Sequence, residues 1–381
     1  MARRLRALVL VAVTLLLASC EQRTTAATAS RVLQPLPSRA EPTRPLLTVD
    51  HWRALYDEAA ASLDRDSEQL SRSADSYDFY ELSYALDAAG SMFEATGDPG
   101  YARTGLHYAE NMIASARPSS TLPGSSFHDS YHGWVSAENG GDETPLYESY
   151  AWRYVTRLLR LVQPGLSGMP GDVQGQYARV LQFTERDILD KWEARGAEDT
   201  IYRSRTHMAA HWAMIALDLS RLTSDAGRRT RCAQIVSNID DHLPNYSSSL
   251  HRQMLPNPRQ PVAYWWSDVW GDTAPPGQDV SHGSGVIAYV VESRDVGGSW
   301  TVDDVARLGH TLTDVVIADP GKHPEFVDGS GRDNGWIADG WVKLGRYDAA
   351  VQAQLETYPV QNAQYFAAMA DNARLLGAVT G

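Results

Sequence analysis

The sequence predicts an all-α domain, a toroid or incomplete barrel of antiparallel helical hairpins, and three observations lead there. Apolar residues recur at helical period through most of the chain after Val49. The intervening segments are rich in Gly, Pro, Asp and Ser. Alternating β-branched runs bounded by turns, the mark of strands, are scarce. At 381 residues the chain exceeds the size at which one compact core stops growing, so a ring of hairpins fits better than a bundle. No repeat is strict enough for a short-period solenoid.

The periodicity predicts helices near 50–65, 77–96, 99–115, 144–162, 173–194, 206–221, 225–243, 281–293, 302–316, 334–345, 347–356 and 361–378. Tyr80 to Gly90 places Ala and Gly where helix axes can approach, and the following Thr96-Gly97-Asp98-Pro99 stops one helix and starts the next. Leu344-Gly345-Arg346-Tyr347-Asp348 closes another hairpin in the same way.

Ahead of the helices, Arg3, Arg4 and Arg6 precede an apolar run from Ala7 to Leu17, the pattern of an export signal. The run is short for a membrane span. It ends in Leu17-Ala18-Ser19-Cys20, which looks like a bacterial lipobox with Cys20 as the lipidation site; an ordinary secretory signal with an incidental Cys20 is the alternative. Either way the expected location is outside the cytoplasm, with membrane contact only through the N-terminal lipid. Residues 1–20 are thus read as signal, 21–47 as a Thr/Ala/Ser/Pro-rich tether, and 48–381 as a single catalytic domain.

Net charge is −13 and no basic block occurs, which argues against nucleic acid as a partner. An anionic substrate therefore needs locally placed cations. Cys232 is the one cysteine besides Cys20, so with Cys20 acylated no intrachain disulfide forms.

The polar, aromatic loops at 118–143, 196–207, 250–282 and 318–336 are the candidate chemical segments. In the first, Trp134 precedes Asn139, which either hydrogen-bonds a substrate carboxylate or forms a plain Asn-Gly turn. His128 and His132 lie there too, without further ligands at zinc spacing. In the second, Tyr202, Arg205 and His207 lead to His211 on the same helix face, but Met208, Ala209 and Ala210 leave no Glu between the histidines for a zinc protease. In the third, Arg259 and Tyr264 are followed by Trp265, Trp266 and Trp270, a candidate platform for sugar rings, and Asp279 is placed to cap a helix bearing His282 on its first turn. The fourth offers His323, Asp333, Asn334, Arg332 and Trp336 as an opposite rim.

The hairpin pattern with Arg259-(x4)-Tyr264-Trp265-Trp266 and Asp279-Val280-Ser281-His282-Gly283 resembles the helical-toroid polysaccharide lyases that act on glucuronan or alginate. The resemblance implies β-elimination on a uronic-acid polysaccharide without a cofactor. It also implies that Tyr264 moves the proton, aided by Arg259, with His207 and His282 as partners and Asn139, His207 or Arg259 neutralising the carboxylate. Two other readings stay open. One is a glycoside hydrolase drawing a carboxylate pair from Glu143, Glu148, Asp268, Asp272, Asp279, Asp333 and Asp339. The other is a glycan-binding lipoprotein without catalysis.

Overall fold

The computed structural model describes residues 35–37, 39–319, 321–333, 335–360 and 362–380. The export signal, Cys20, most of the tether and Asn334 lie outside the described residues.

The fold is all-α. Its longer helices are α1 (Val49–Ser71), α2 (Asp78–Thr96), α3 (Pro99–Ser115), α4 (Pro145–Val162), α5 (Gly171–Phe183), α6 (Thr206–Leu222), α7 (Ala226–Asp241), α8 (Val280–Asp295), α9 (Val302–Thr311), α10 (Ala349–Leu355) and α11 (Ala363–Thr380), with a 3₁₀ segment at Trp341–Tyr347. Two small antiparallel ladders stitch the loops, Arg117–Pro118 with His132–Gly133 and Leu255–Pro256 with Tyr264–Trp265. Among the described residues no helix is long and apolar enough to cross a membrane.

Local chemistry sets the helix ends. Gly97 closes α2 at φ 69°, a left-handed conformation that glycine adopts without steric cost, and Asp98 then caps α3 with Pro99 at its first position. Thr301 and Asp304 form a reciprocal capping box on α9. The expected helix at 173–194 is present but passes through a π-helical stretch at Thr184–Asp190. The one expected at 334–345 is not: Gly335 sits at φ 84°, outside right-handed helical space, and only the 3₁₀ segment forms.

Packing follows a series. Helix α2 lies against α4, α4 against α6, α6 against α8, α8 against the 3₁₀ segment, that segment against α11, and α11 against α2. The other helices cover this series: α1 on α2 and α11, α3 on α2 and α5, α7 on α6, α9 on α8 and the 3₁₀ segment, and α10 on the 3₁₀ segment and α11. Close approach depends on small residues. A Cβ on Gly340 would meet the Ser284 carbonyl oxygen at 2.0 Å, and one on Gly105 would meet Leu158 at 2.6 Å.

Every member of the series contributes to one buried ionic network. Arg157 of α4 donates to Glu292 of α8 and Glu94 of α2 at 2.7 Å each, and to Asp371 of α11 at 3.3 Å. Arg346 of the 3₁₀ segment reaches Asp371 at 2.8 Å, Lys343 reaches Asp87 of α2 at 2.7 Å, and Arg160 joins Asp218 of α6 to Glu292. Burial alone would raise the Glu292 carboxyl, but the guanidiniums of Arg157, Arg160 and Arg346 hold it well below the usual range. Asp371 goes the other way: burial, with Glu94 beside it, pushes it up to about 7.

Removing one cation strands charges that cannot reach water. Arg157→Met should therefore cost about 3–5 kcal/mol, read as a lowered midpoint in urea unfolding, whereas a lost rim contact should leave the midpoint nearly unchanged.

Candidate functional site

A cavity of about 410 Å³ opens where α2, α4, α6 and α8 begin. Tyr80, Glu81 and Tyr84 come from the first turns of α2, Tyr150 from α4, His207 and His211 from α6, and Ser281, His282 and Gly285 from α8. Asp333 and Trp336 enter from the loop ahead of the 3₁₀ segment.

Two aspartates orient the histidines. The Asp268 carbonyl accepts the Thr206 N–H at 2.9 Å, which ties its loop to the start of α6; its carboxylate meets His207 Nδ1 at 2.9 Å and accepts from Arg205 at 2.9 Å. With Nδ1 engaged by a carboxylate, the imidazole carries its proton there and its lone pair at Nε2. Asp279 caps α8 as expected, accepting the His282 backbone N–H at 3.0 Å and its ring Nδ1 at 2.9 Å. The two imidazoles lie 4.6 Å apart, centroid to centroid.

Their charge states are pushed in opposite directions. Burial lowers the His207 pKa, partly offset by the Asp268 hydrogen bond, and so favours a neutral ring. The hydrogen bond to Asp279 raises that of His282 against a smaller loss from burial, and so favours a cation. Two imidazoles with opposite protonation preferences thus stand side by side, and titratable neighbours whose environments push their pKa values apart are candidates for an acid and a base.

Below them, His211 is 1% exposed and neither ring nitrogen has a hydrogen-bond partner. Burial and then the Arg153 charge press its pKa well down. An unmet buried polar group costs roughly 1–3 kcal/mol. Tyr150 crosses its edge at 5.1 Å, stacks on Tyr80 at 4.0 Å and has the Arg153 guanidinium 4.4 Å from its ring centre. Burial drives the Tyr150 phenol well above its ordinary value, which keeps it protonated and able to donate.

The cavity gathers His207, His211, His282, Asp333 and Trp336 from the sequence expectation, with Arg205 tied to it through Asp268. It does not gather Tyr264, whose hydroxyl donates to Asp304 of α9 at 2.9 Å and whose pKa is raised by burial and then by that carboxylate. Arg259 is not the cation beside Tyr264. It donates to the Gly329 carbonyl at 2.6 Å, and the guanidinium over the Tyr264 ring is that of Arg307. Asn139 takes the turn reading: it is exposed, followed by left-handed Gly140, and its amide caps the Glu143 carbonyl.

The tryptophan platform is also corrected. Trp266 is 0% exposed and stacks on Trp341, Trp265 and Trp270 are nearly as buried, and Trp270 donates to the Arg203 carbonyl. Their loop folds back at Gly277, where φ is 84° and a Cβ would strike the Trp266 carbonyl and the Trp265 ring, so the indoles face the core. Trp134 is likewise core, bonded to Met112 and Ser115, and the Tyr202 hydroxyl is taken by Asn238. Arg332 is exposed and does not line the cavity; His323 pairs with Tyr358 elsewhere. Of the expected carboxylates, Glu143 and Glu148 are buried against Lys191, and Asp339 is bound to Arg153 and Tyr154.

Tyr80, Glu81, Tyr84 and Tyr150 were not legible as site residues. Their signal is positional: Tyr80 and Tyr84 sit one turn apart at the start of α2, and Tyr147 and Tyr150 occupy the same place on α4. Among the described residues no group of three or more His, Cys, Asp and Glu is arranged to hold a metal ion. No protein-family model matches the chain and no curated protein matches it either.

A methyl group at Gly285 would lie 2.8 Å from His211 Nε2 and 3.4 Å from Arg153. Gly285→Ala should destabilise by about 1–3 kcal/mol through overpacking and displace the His211 ring, seen as a lower unfolding temperature with shifted imidazole resonances.

Proposed function

We propose that the protein is a polysaccharide lyase that cleaves a uronic-acid polymer by β-elimination, working outside the cytoplasmic membrane on a lipid anchored at Cys20. The observation that carries the reading is the His207–His282 pair, with opposite protonation preferences 4.6 Å apart in a tyrosine-walled cavity. The successive contacts that return from α11 to α2 support a closed (α/α) toroid, as does the convergence of four helix N-termini on one cavity. Those N-termini add partial positive charge, which favours an anionic substrate in a chain of net charge −13.

In this mechanism the uronate carboxylate sits against the His282 cation, which acidifies the adjacent C5–H by stabilising negative charge as it develops. His207 Nε2 removes that proton, with Asp268 holding the imidazolium that forms. The electron pair makes the C4–C5 double bond and the bond from C4 to the glycosidic oxygen breaks. That oxygen takes a proton from Tyr150, leaving an unsaturated uronate on one fragment and a new reducing end on the other. His211 supplies part of the cavity wall beneath the pair. Tyr150 here takes the role first assigned to Tyr264.

Glu81 and Asp333 both line the cavity, and this favours a hydrolase as the second reading. The two chemistries differ in product. Incubation with a panel of uronic-acid polysaccharides should give the near-ultraviolet absorbance of an unsaturated uronate; reducing ends without it would establish hydrolysis, and binding without any product would establish a capture protein.

His207→Ala and Tyr150→Phe should each lower kcat by roughly 10²–10⁴-fold, while Tyr264→Phe keeps the rate near native. The pH profile of kcat/KM should be bell-shaped. The neutral His207 base is gained as pH rises through a pKa below the ordinary imidazole value of about 6.5, and the His282 cation is lost as pH rises through one above it. A single ionisation in the profile would remove one of the two histidines from the mechanism.

A further inference from the structure

A second cavity, of about 290 Å³, lies beside the first and shares Glu81, Tyr84 and Trp336 with it as lining residues. Its chemistry is different. Leu63, Tyr108 and the Trp336 ring supply apolar wall, Asp64 and Asp66 supply negative charge, and no Lys, Arg or His lines it among the described residues.

One polar group in this wall is informative. Gln364 is 4% exposed; its Nε2 donates to Asp87 at 2.9 Å, which fixes the amide orientation, and its Oε1 has no partner. A buried carbonyl acceptor calls for a donor such as a hydroxyl or an acetamido N–H. A carboxylate at neutral pH offers only acceptors, and here it would also face Asp64 and Asp66, which do not line the first cavity.

We propose that this second cavity is a subsite for an uncharged sugar ring, a hexose or N-acetylhexosamine, next to the uronate, so that the preferred polymer is mixed rather than a homopolyuronate. The proposal rests on the lyase reading for the neighbouring uronate and adds what that reading does not specify. The C–H face of a pyranose packs on Trp336 and Tyr108 while its donors meet Gln364 Oε1 and the acidic rim.

The test compares kcat/KM of the intact protein on a homopolyuronate and on copolymers alternating a uronate with an uncharged sugar. Native enzyme should favour the copolymer by roughly tenfold or more, since like-charge juxtaposition is strongly disfavoured. Asp64→Lys with Asp66→Lys, both on exposed positions, should narrow or reverse that ratio. Equal or better turnover of the homopolyuronate by native enzyme, or a ratio unmoved by the double variant, overturns the subsite. A catalysis-free arm separates this from the lyase reading: saturation-transfer NMR with cellobiose and N,N′-diacetylchitobiose should show contact that Trp336→Phe weakens and a glucuronate disaccharide does not reproduce at this subsite. Such contact without any elimination would keep the subsite and remove the lyase; elimination with no such contact would do the reverse.

Discussion

The fold depends on charges held almost wholly out of solvent. Arg157, Arg160, Arg346 and Lys343 meet Asp87, Glu94, Asp218, Glu292 and Asp371 in the interior, and each of α2, α4, α6, α8, the 3₁₀ segment and α11 supplies at least one of them. An apolar core of equal volume would be at least as stable. What the ions add is register, because each guanidinium is satisfied only when two or three helices stand at the right height relative to one another. Ser91 joins the same set by accepting from Arg157, and Asn372 of α11 ties α11 to the 3₁₀ segment and α10 by donating to the Val342 carbonyl and to Gln352.

That register is what makes the cavity possible. The histidines and tyrosines belong to the first turns of four helices, so their mutual distances are set by how those helices align lower down. The loops then refine the positions: Asp268 and Asp279 lie on one connecting segment, and each takes one imidazole. The opposite protonation preferences of His207 and His282 are thus a property of depth and partner, one ring nearly buried and the other exposed on the rim.

Much of this was readable from the sequence wherever the cause is local. The end of α2 and the start of α3 follow from Gly97, Asp98 and Pro99, and the placement of His282 follows from Asp279 as a cap, because both involve neighbours in the chain. The segment 334–345 misled because its apolar pattern fits a helix while Gly335 forces a left-handed turn and Gly340 presses on the Ser284 backbone. Trp265, Trp266 and Trp270 misled for the opposite reason. A loop rich in indoles looks like a sugar platform, but large apolar area goes to the core when the loop folds back over it, as Gly277 allows. Tyr80, Tyr84 and Tyr150 were hidden because a tyrosine on the inner face of a helix has the same pattern whether it fills a core or walls a cavity.

Arg153 is the residue where framework and cavity touch. It is fully buried, bonded to Asp339, placed against the Tyr150 ring, and close to the space a Gly285 side chain would enter. The cavity floor on the α4 and α8 side is therefore welded to the interior, while Glu81, Asp64 and Trp336 on the rim show no such tie among the described residues. Descendants of this protein are free to drift along that rim, and selection will find the floor almost immovable.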